Sequence, residues 1–253
     1  MNFTAIWTLT KKELKRFIRV PGQTIGSPIV TTLLYFIIFS VAIGDRVDVS
    51  AGLTYGEFIM PGLIMMNVMS GSLMSVASAL MLSKMMNTLS DVLLSPMSYL
   101  EMILGYVISS VLRSLVTGSL IYLTALFFVP FRVEHPLYLL GFVLIISTAF
   151  ALGGLIIGIW ADTFEQVSIF PTFLITPLSF MGGIFYSITA LPQTLQNISR
   201  FNPLLYMING MRYGFYGVSD VNQWVALAVG VGLLVLLMLV TWRMFSTGYK
   251  IKS

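Results

Sequence analysis

The sequence predicts an all-α polytopic membrane protein in which six transmembrane helices form a single domain. Hydrophobic residues make up 57% of the 253 residues, charged residues make up only 9%, and the mean hydropathy is +0.91. Soluble domains contain about 25% charged residues, so the composition argues against a soluble fold. Several apolar stretches reach the roughly 20 residues that a helix needs to cross a hydrocarbon core of about 30 Å. No repeat of a supersecondary unit is visible, which favours one domain.

The segment 1–22 predicts an amphipathic helix at the membrane interface. Basic residues fall on one side of a helical wheel: Lys11, Lys12, Lys15, Arg16 and Arg19. Apolar residues recur near the helical period of 3.6 residues: Phe3, Ile6, Trp7, Leu14, Phe17 and Ile18. Such a pattern is typical of helices that lie in the plane of the interface. The basic cluster sits inside the segment and no small-residue cleavage pattern follows it, so we do not expect a cleaved signal peptide.

Six apolar stretches follow, five of them within 27–186 and the sixth within 224–244. The predicted spans are Ser27 to Ile43, Phe58 to Leu82, Tyr99 to Val129, Leu137 to Trp160, Val167 to Tyr186, and Trp224 to Met244. An even number of spans places both termini on one side of the membrane. With the termini inside, nine Lys and Arg residues lie in inner segments and four in outer ones, with Arg113 left inside a span. This excess predicts that both termini are cytoplasmic.

The segment 188–223 is too polar to span a membrane and too apolar for an ordinary loop. It predicts one or two short helices that dip into the outer leaflet as a re-entrant hairpin. Asn202 followed by Pro203 is typical of a helix start, and Gly214 and Gly217 are natural stops. Backbone outside a full span is tolerated at membrane depth only where protein or water covers it. We therefore expect the hairpin to pack on the helical bundle or on a second copy of the chain.

Residues that could carry enzymatic chemistry are few. The chain has no cysteine and a single histidine, His135, which we expect to be a solvated loop residue. Because it sits in a short outer loop beside Pro136, we do not expect a zinc site, a Ser-His pair or a two-histidine metal motif within one chain. No G-x-x-x-x-G-K-[ST] motif occurs, so no such phosphate-binding loop is present. The net charge of +4 reports orientation in a membrane protein, and we do not expect nucleic-acid binding.

Two charged residues lie within the third predicted span. Arg113 is about halfway along it, where a charge costs at least ~2.5–3.5 kcal/mol on insertion scales and must face protein or water. Ser109, Ser110 and Thr117 lie within one turn and are expected to hydrogen-bond with it. Two interpretations remain open, a buried structural arginine and an arginine that lines a substrate path. Glu101 lies near the inner end, where it reaches the interface or takes part in a cytoplasmic gate.

The second predicted span alternates methionine with small residues: Met60, Met65, Met66, Met69 and Met74 with Ser70, Gly71, Ser72, Ser75 and Ser78. Small residues four apart, such as Gly71 and Ser75, allow close helix packing. Flexible thioethers also adapt to varied apolar surfaces, so an apolar translocation surface is the alternative. A Cu(I) site is disfavoured because no cysteine or nearby histidine accompanies the thioethers. The Gly154 to Gly158 spacing is likewise a packing signal.

The loop after the second span predicts a short cytoplasmic helix. Thr88 and Asp91 resemble a capping box, and Pro96 ends the segment. Its apolar face consists of Leu89, Val92, Leu93 and Leu94. An exposed apolar face of this kind favours docking on a soluble partner, although a helix lying flat on lipid is the alternative. The loop from Ala161 to Glu165 is a weaker candidate for a second contact.

In combination these features resemble the permease subunits of type 2 ABC exporters over essentially the whole chain. The resemblance is closest to small bacterial inner-membrane permeases akin to nodulation-factor and polysaccharide exporters. It depends on the basic N-terminal helix and on motifs that recur in order: Phe58 to Gly62 (FIMPG), Asp91 to Pro96 (DVLLSP), Arg113, Pro171, Pro177, Gly182 to Tyr186 (GGIFY), Leu191-Pro192, Asn202 to Tyr206 (NPLLY) and Arg212. It implies a homodimer in the lipid bilayer with two separate ATP-binding ABC subunits. Those subunits would bind ATP and Mg²⁺, and this chain would bind no cofactor and have no catalytic residues.

The resemblance also implies roles for particular residues. Contacts with the ATPase are expected at Lys11, Lys12, Lys15, Arg16, Thr88, Leu89, Asp91, Val92, Leu93 and Pro96. An outer gate is expected at Pro192, Asn202, Pro203, Tyr206 and Arg212. Candidate residues of the substrate path are Met65, Met69, Arg113, Phe173 and Phe180. The expected function is export of a hydrophobic or amphipathic substrate, such as a lipid, a glycan-lipid or a drug-like molecule, and the alternative is an ion-coupled carrier or channel that needs no ATPase.

Overall fold

The computed structural model describes residues 2–43, 52–88 and 97–250, and helices account for the regular structure of these segments. The first half contains α1 (Phe3–Arg19), a π-helical turn (Gly22–Gly26), α2 (Ser27–Ile43), α3 (Tyr55–Met85), α4 (Tyr99–Ala125) and α5 (Pro136–Trp160). The second half contains α6 (Phe164–Ile169), a π-helical segment (Phe170–Ile175), α7 (Thr176–Met181), a 3₁₀ turn (Ile188–Ala190), α8 (Gln193–Arg200), α9 (Pro203–Tyr216) and α10 (Gln223–Thr247). The all-α prediction is confirmed for these residues.

Side-chain caps set several helix boundaries. Thr54 and Glu57 form a reciprocal capping box at the start of α3, which therefore begins at Tyr55 and not at the predicted Phe58. Asn202 accepts a hydrogen bond from the Leu204 N–H (3.0 Å) and caps α9, as predicted. Gly217 ends α9 with a φ of +66°, a conformation that glycine adopts without strain. Its predicted role as a stop is confirmed.

Gly214 is not a stop, contrary to the prediction. It lies inside α9, where an added Cβ would come within 2.8 Å of Leu139 Cδ1 and 2.9 Å of Leu139 Cβ. The residue permits close approach of α9 to α5, and the helix continues past it because its backbone is helical. A glycine in a sequence is typical of a helix end and also of close helix packing, so the sequence did not distinguish the two roles.

Five described helical stretches are long and apolar enough to cross a membrane. They are Gly22–Ser40, Tyr55–Met85, Tyr99–Ala125, Pro136–Trp160 and Gln223–Thr247, and they correspond to the first four predicted spans and the sixth. The predicted fifth span consists of three helical pieces, α6, the π-helical segment and α7, which follow one another without a break from Phe164 to Met181. The helical path ends before Gly182, so the predicted extension to Tyr186 is wrong.

Proline explains why this stretch is divided. Pro171 and Pro177 lack the amide hydrogen that a regular α-helix uses, and a local π-helical segment rearranges the remaining hydrogen bonds. The Thr176 hydroxyl and backbone N–H both donate to the Pro171 carbonyl, the hydroxyl at 2.9 Å. The helical path therefore continues despite two prolines.

The centre of the bundle is the contact between α3 and α5. Gly154 lies against the backbone of Leu73, and a Cβ added at Gly158 would come within 2.9 Å of Leu80 Cβ. Close packing predicted from the Gly154 to Gly158 spacing is thus confirmed. Gly71 differs, because nothing lies within 4 Å of the position that its Cβ would occupy. It faces open space instead of a neighbouring helix, so its predicted packing role is wrong.

Helix α1 packs lengthwise along the first half of α4. The backbone N–H of Asn2 donates to Glu101 near the start of α4, and Leu9 packs directly on Gly105. Further along, the Phe17 ring lies 5.1 Å from the guanidinium carbon of Arg113. The amphipathic character predicted for this segment is confirmed, but its contacts reach the middle of α4 and are not confined to the end of that helix.

The surface of α1 divides into three sectors when residues are placed at about 100° each around the helix. The sector that packs on the bundle holds Ile6, Leu9, Thr10, Glu13 and Phe17, which are all buried. Next to it is an apolar sector containing Phe3, Trp7 and Ile18, which are 74%, 60% and 67% exposed. The third sector is basic and contains Lys11, Lys12, Lys15 and Arg19, all exposed. One short helix thus has three faces of different chemistry, one packed on the bundle and two exposed.

Candidate functional site

The end of the bundle where α9 packs on the start of α3 contains a buried arginine. Arg212 of α9 is 0% exposed, and its guanidinium lies over the Phe58 ring at 3.7 Å from the ring centroid. It donates hydrogen bonds to the carbonyls of Phe58 (3.2 Å) and Gly183 (2.8 Å) and to Oδ1 of Asn209 (3.1 Å). One side chain therefore connects α3, the turn after α7, and α9.

Asp220, in the loop after α9, completes this arrangement. Its carboxylate lies 3.9 Å from Arg212 and accepts hydrogen bonds from the Ser187 hydroxyl (2.7 Å) and the Ile188 N–H (3.0 Å). The Asp220 N–H donates to Oδ1 of Asn209 at 2.9 Å. Burial lowers the pKa of Arg212 to about 10 and the charge of Asp220 opposes that shift, so Arg212 is a cation at neutral pH. We call Arg212, Asp220 and Asn209 the outer clamp, after the side of the membrane that the sequence predicts for these residues.

Of the residues predicted for an outer gate, Arg212 lies in the outer clamp and Asn202 makes a separate tie. The amide of Asn202 donates to the Leu178 carbonyl at 2.6 Å, which joins the start of α9 to α7. The Tyr206 hydroxyl donates to the Arg200 carbonyl at 2.9 Å. Pro203 occupies the first turn of α9, and Pro192 is exposed at the start of α8.

The analysis of the sequence missed Asn209, Asp220 and Ser187. Asn209 lies three residues before Arg212, which places it on the same face of α9. A polar pair at that spacing within an otherwise apolar helix was the available signal. Asp220 and Ser187 are distant in sequence from Arg212, and only the folded chain brings them together.

A second polar region lies between α3 and α4, near the middle of these two candidate spans. Arg113 lines a cavity of about 210 Å³ together with residues from α3, α4 and the chain that precedes and begins α2. Its polar lining consists of Thr24, Asn67, Ser70, Arg113, Ser114 and Thr117. We call it the polar cavity. Gly71 also lines it, which accounts for the open space beside that glycine.

The predicted hydrogen bonds to Arg113 are not formed. The hydroxyls of Ser109 and Ser110 donate to the carbonyls of Tyr106 (2.8 Å) and Ser72 (2.9 Å). Thr117 donates to the backbone carbonyl of Arg113 and not to its side chain (3.0 Å). Serine and threonine within helices commonly bond to backbone carbonyls one turn earlier, as Ser109 and Thr117 do here, whereas Ser110 reaches the Ser72 carbonyl of α3. Among the described residues the Arg113 guanidinium forms no hydrogen bond or ion pair, and it lies over the Phe17 ring.

Arg16 of α1 has partners within the chain. Its guanidinium donates to the Ser75 carbonyl at 2.9 Å and lies 3.2 Å from the carboxylate of Glu13. Among the residues predicted to contact an ATPase, Arg16 is therefore half-buried, whereas Lys11, Lys12 and Lys15 are exposed. Thr88 follows the end of α3 and donates its backbone N–H to the Ser83 carbonyl at 2.9 Å. Leu89, Asp91, Val92, Leu93 and Pro96 lie outside the described residues.

Two lysines hold the C-terminal end of α5. Lys84 donates to the carbonyl of Ala161 (2.9 Å), and Lys250 donates to the carbonyl of Trp160 (3.0 Å) and to Asp162 (2.8 Å). The hydrogen bond from Lys250 holds the pKa of the exposed Asp162 carboxyl below its usual value. Cations at a helix C-terminus complement the partial negative charge of its free carbonyls. The start of the loop from Ala161 to Glu165 is thereby held by Lys84 of α3 and by Lys250, which follows α10.

The residues proposed for the substrate path lie in different environments. Met65 and Met69 are 0% exposed inside the core of the chain, whereas Phe173 of the π-helical segment is 74% exposed. Phe180 is half-buried and packs edge-on against Tyr35, with ring centroids 6.1 Å apart. The fold therefore does not gather these residues around one cavity within a single chain.

The remaining polar candidates have structural partners. Glu101 forms a capping box with Ser98 at the start of α4 and accepts the Asn2 N–H. His135 is exposed and stacks on Tyr213 at 4.6 Å between ring centroids. No group of three or more metal-ligating side chains occurs in the described part of the chain.

Comparison with known proteins finds one family model and several relatives. The family model for ABC-2 type transporters matches residues 4–216. The chain is 39% identical to the inner membrane transport permease YadH of Escherichia coli strain K12, over 100% of this chain and 99% of that protein. It is 22% identical to nodulation protein J of Rhizobium leguminosarum bv. viciae, over 91% and 88% of the two chains. Nodulation protein J of Rhizobium meliloti strain 1021 is 21% identical, over 83% and 80%.

The family match extends from α1 to the end of α9, and the 39% identity extends over the entire chain. Both cover the motifs on which the resemblance depended, so the resemblance is confirmed. Permeases of this family pair with ATP-binding subunits, and ATP hydrolysis resides in those partners. The chain therefore belongs to the ABC-2 type transporter family and is a multi-pass inner-membrane permease subunit.

Proposed function

We propose that the chain is the membrane half of an ATP-driven exporter of hydrophobic or amphipathic substrates. Two copies would pair in the bacterial inner membrane above two ATP-binding subunits, with both termini in the cytoplasm. The observation that carries the coupling to ATP hydrolysis is the packing of α1, a helix that exposes a basic sector and lies rigidly along a membrane-spanning helix.

The proposed topology counts the helical path from α6 to α7 as the fifth crossing. Its three pieces contain six residues each and follow one another, so they extend about 27 Å at 1.5 Å per residue. That length approaches the roughly 30 Å of a hydrocarbon core. Six crossings then place the segment with α8 and α9 on the outer side and both termini on the inner side. The exposed side chains of Leu195, Ile198 and Phe201 suit contact with lipid or with a second copy.

Coupling would begin at the exposed basic sector of α1. Lys11, Lys12 and Lys15 face away from the bundle, where an acidic surface of an ATP-binding subunit could bind them. On the opposite side Leu9 packs on Gly105 and Arg16 binds the Ser75 carbonyl, so displacement of α1 would move α4 and α3. The predicted loop helix with Leu89, Asp91, Val92, Leu93 and Pro96 remains a proposed second contact.

The outer clamp would keep the outer side closed in this conformation. Arg212 joins α3, the turn after α7, and α9 through donors that cannot be replaced by water while the side chain is fully buried. Opening toward the outside would require these helices to separate at the clamp. Alternating access would then couple ATP-driven movement at α1 to opening at the other end of the bundle.

A charge-reversal variant tests this function. The permease is purified with its co-purifying ATP-binding subunit, reconstituted in liposomes, and compared with a Lys11→Glu, Lys12→Glu, Lys15→Glu triple variant. We expect the variant to fold normally and to lose most ATPase activity and subunit association, because each reversal places a like charge at the interface. The matched control is Arg132→Glu in the outer loop, which should retain both. Coupled ATPase activity equal to that of the unaltered complex would contradict the role of α1.

An ion-coupled carrier or channel is the competing function. Such a protein would move its substrate in liposomes that contain the permease alone, under an ion gradient and without ATP. Transport that appears only when the ATP-binding subunit and ATP are present supports the exporter. Transport by the isolated permease would instead support the carrier or channel.

A further inference from the structure

The polar cavity lies close to one edge of the hydrocarbon core. The first candidate span, Gly22–Ser40, has 19 residues, and a core of about 30 Å requires about 20, so its start at Gly22 lies near the edge on the side of α1. Thr24 and Pro28 of this stretch line the polar cavity. Pro28 follows Gly22 by no more than about 9 Å along a helix at 1.5 Å per residue. The cavity is therefore within about two helical turns of the lipid headgroups.

The packing of α1 leads to the same level. Helix α1 lies along the first half of α4 as far as Arg113, whose guanidinium lies over the Phe17 ring. Lys15 and Arg19 of α1 are exposed, and exposed basic side chains are costly inside a hydrocarbon core. The first half of α4 therefore lies at or beyond the headgroups. With 31 and 27 residues, α3 and α4 are long enough to extend past the core on that side.

Two side chains of the polar cavity have uncommitted donors. Among the described residues the Arg113 guanidinium forms no hydrogen bond or ion pair, and the carboxylate of Glu13 pairs instead with Arg16 at 3.2 Å. The Ser70 hydroxyl likewise has no hydrogen-bond partner in the described segments. By contrast, the Thr117 hydroxyl donates to a backbone carbonyl of its own helix. A guanidinium and a hydroxyl in one cavity are suited to an oxyanion, which the planar guanidinium can bind through two hydrogen bonds.

The helices that border the polar cavity carry an excess of positive charge at this level. From Glu13 to Arg19, α1 contains one acidic residue and three basic ones, and α2 contains no charged residue from Ser27 to Ile43. Arg113 of α4 adds a fourth positive charge. A basic cluster at the level of the headgroups attracts anionic lipids. A headgroup without net charge would leave the excess uncompensated.

We propose that the polar cavity binds the headgroup phosphate of an anionic phospholipid from the leaflet on the side of α1. The phosphate oxygens accept hydrogen bonds from Arg113 and Ser70. The acyl chains stay in the bilayer beside α2 and α4, where Val30, Leu34 and Val116 are exposed. The site goes beyond the proposed export function and does not depend on it, because its ligand is a component of the membrane and not a transported substrate.

Lipid binding by the purified full chain in detergent, without ATP or a partner subunit, tests the site. Dissociation constants are measured by native mass spectrometry for dioctanoyl phosphatidylglycerol, dioctanoyl phosphatidylcholine and dioctanoylglycerol. We expect phosphatidylglycerol to bind at least about tenfold more tightly than dioctanoylglycerol, which lacks the phosphate. Phosphatidylcholine should bind less tightly than phosphatidylglycerol, because the basic cluster repels its choline cation. Equal binding of phosphatidylglycerol and either of the other two lipids would overturn the proposal.

Inorganic phosphate distinguishes the two sources of the oxyanion. At constant ionic strength it should displace phosphatidylglycerol only weakly, because it does not have the acyl chains that hold the headgroup at the edge of the bilayer. Inorganic phosphate that binds as tightly as phosphatidylglycerol would assign the site to the free anion and contradict the assignment to a lipid.

Substitutions of the two donors locate the site. Arg113→Gln should weaken phosphatidylglycerol binding by about tenfold or more, whereas Arg113→Lys, which keeps the charge but not the planar fork, should lose less. Ser70→Ala removes one neutral donor and should weaken binding by about threefold to tenfold. Lys12→Gln is the matched control, because it removes an equal charge from the exposed basic sector of α1, outside the cavity. A loss in Lys12→Gln as large as that in Arg113→Gln would refute the site, since binding would then reflect general charge attraction.

A variant that fills the polar cavity tests the site without a change of charge. Gly71 lines the cavity with nothing within 4 Å of the position of an added Cβ, so Gly71→Leu should fit and should weaken phosphatidylglycerol binding by about tenfold or more. Gly232→Leu in α10 also enters open space and should bind the lipid as the unaltered chain does. Thermal unfolding verifies that each variant folds. Unchanged lipid binding in folded Arg113→Gln or Gly71→Leu would rule out the site, whereas absence of ATP-coupled export with lipid binding intact would contradict only the proposed function.

Discussion

Loss of the outer clamp should destabilise the protein strongly. In Arg212→Met the methionine fills part of the volume, but three acceptors lose their donors and the Asp220 carboxylate loses its counter-charge. Hydrogen bonds from charged donors contribute about 1.5–3 kcal/mol each, and removal of one partner of a buried ion pair costs about 3–5 kcal/mol. These contributions overlap because they share one side chain. We expect the free energy of unfolding to fall by about 3–5 kcal/mol.

Two further variants separate the contribution of the charge from that of the hydrogen bonds. Arg212→Lys keeps the charge but lacks the planar fork that reaches three acceptors at once, so it should recover only part of the loss. In Arg212→Met with Asp220→Asn, no unpaired carboxylate remains. The double variant should therefore be less destabilised than the sum of the two single variants predicts.

The assay is equilibrium unfolding in mixed micelles, followed by circular dichroism, together with basal ATPase activity of the reconstituted complex. Arg200→Met is the matched control, because Arg200 is exposed at the end of α8 and should change stability by no more than about 0.5 kcal/mol. An Arg212→Met protein as stable as this control would refute the reasoning, since it would mean that the buried guanidinium contributes nothing net. If the clamp also holds the outer side closed, basal ATPase activity should change in Arg212→Met and not in Arg200→Met.

Three other predictions follow from the packing and the topology. Gly154→Ala should lower the free energy of unfolding by about 1–3 kcal/mol, because its Cβ would meet the α3 backbone. Gly153→Ala is the control in the same unfolding assay: no atom lies closer than 3.9 Å to its Cβ, so the free energy of unfolding should hardly change. The chain has no cysteine, so an introduced cysteine is the only site that a maleimide can label. A membrane-impermeant maleimide applied to intact spheroplasts should label Phe201→Cys and not Lys12→Cys. The reverse pattern would contradict the proposed orientation. Gly105→Leu should push α1 away from α4 and reduce transport per ATP hydrolysed, and unchanged coupling would argue against α1 as the transmitting element.

The helices were largely predictable because their signals are local. Length and hydropathy identified five stretches that the structure contains as long helices, and the Asn202-Pro203 pair marked the start of α9. Boundaries were less accurate where a cap decided them, as at Thr54 and Glu57 before α3. The division of the fifth apolar stretch by Pro171 was also not predicted, since a proline can end, kink or locally rewind a helix.

Glycine shows the limit of such local signals. The Gly154 to Gly158 spacing predicted close packing correctly, but the same interpretation failed for Gly71, which borders a cavity, and Gly214 is a contact and not a helix end. A glycine in the sequence indicates only that a side chain is absent. Whether the space is filled by a neighbouring helix, left open or used for a turn depends on the arrangement of other elements.

By itself, the sequence determined that the protein is helical, lies in the membrane and has no apparent nucleotide-binding site, because hydropathy, helix capping and motif content are properties of short stretches of chain. It also identified Arg113 as a charge within a predicted span, and the family resemblance named Arg212 as a residue of the outer gate. Only the tertiary structure decided their difference. Arg212 has partners contributed by α3, the turn after α7 and the loop after α9, whereas Arg113 lines a cavity and has no ion pair in the part of the chain that the structure describes. Partners of a buried charge come from distant parts of the chain, so their presence or absence is settled by folding alone.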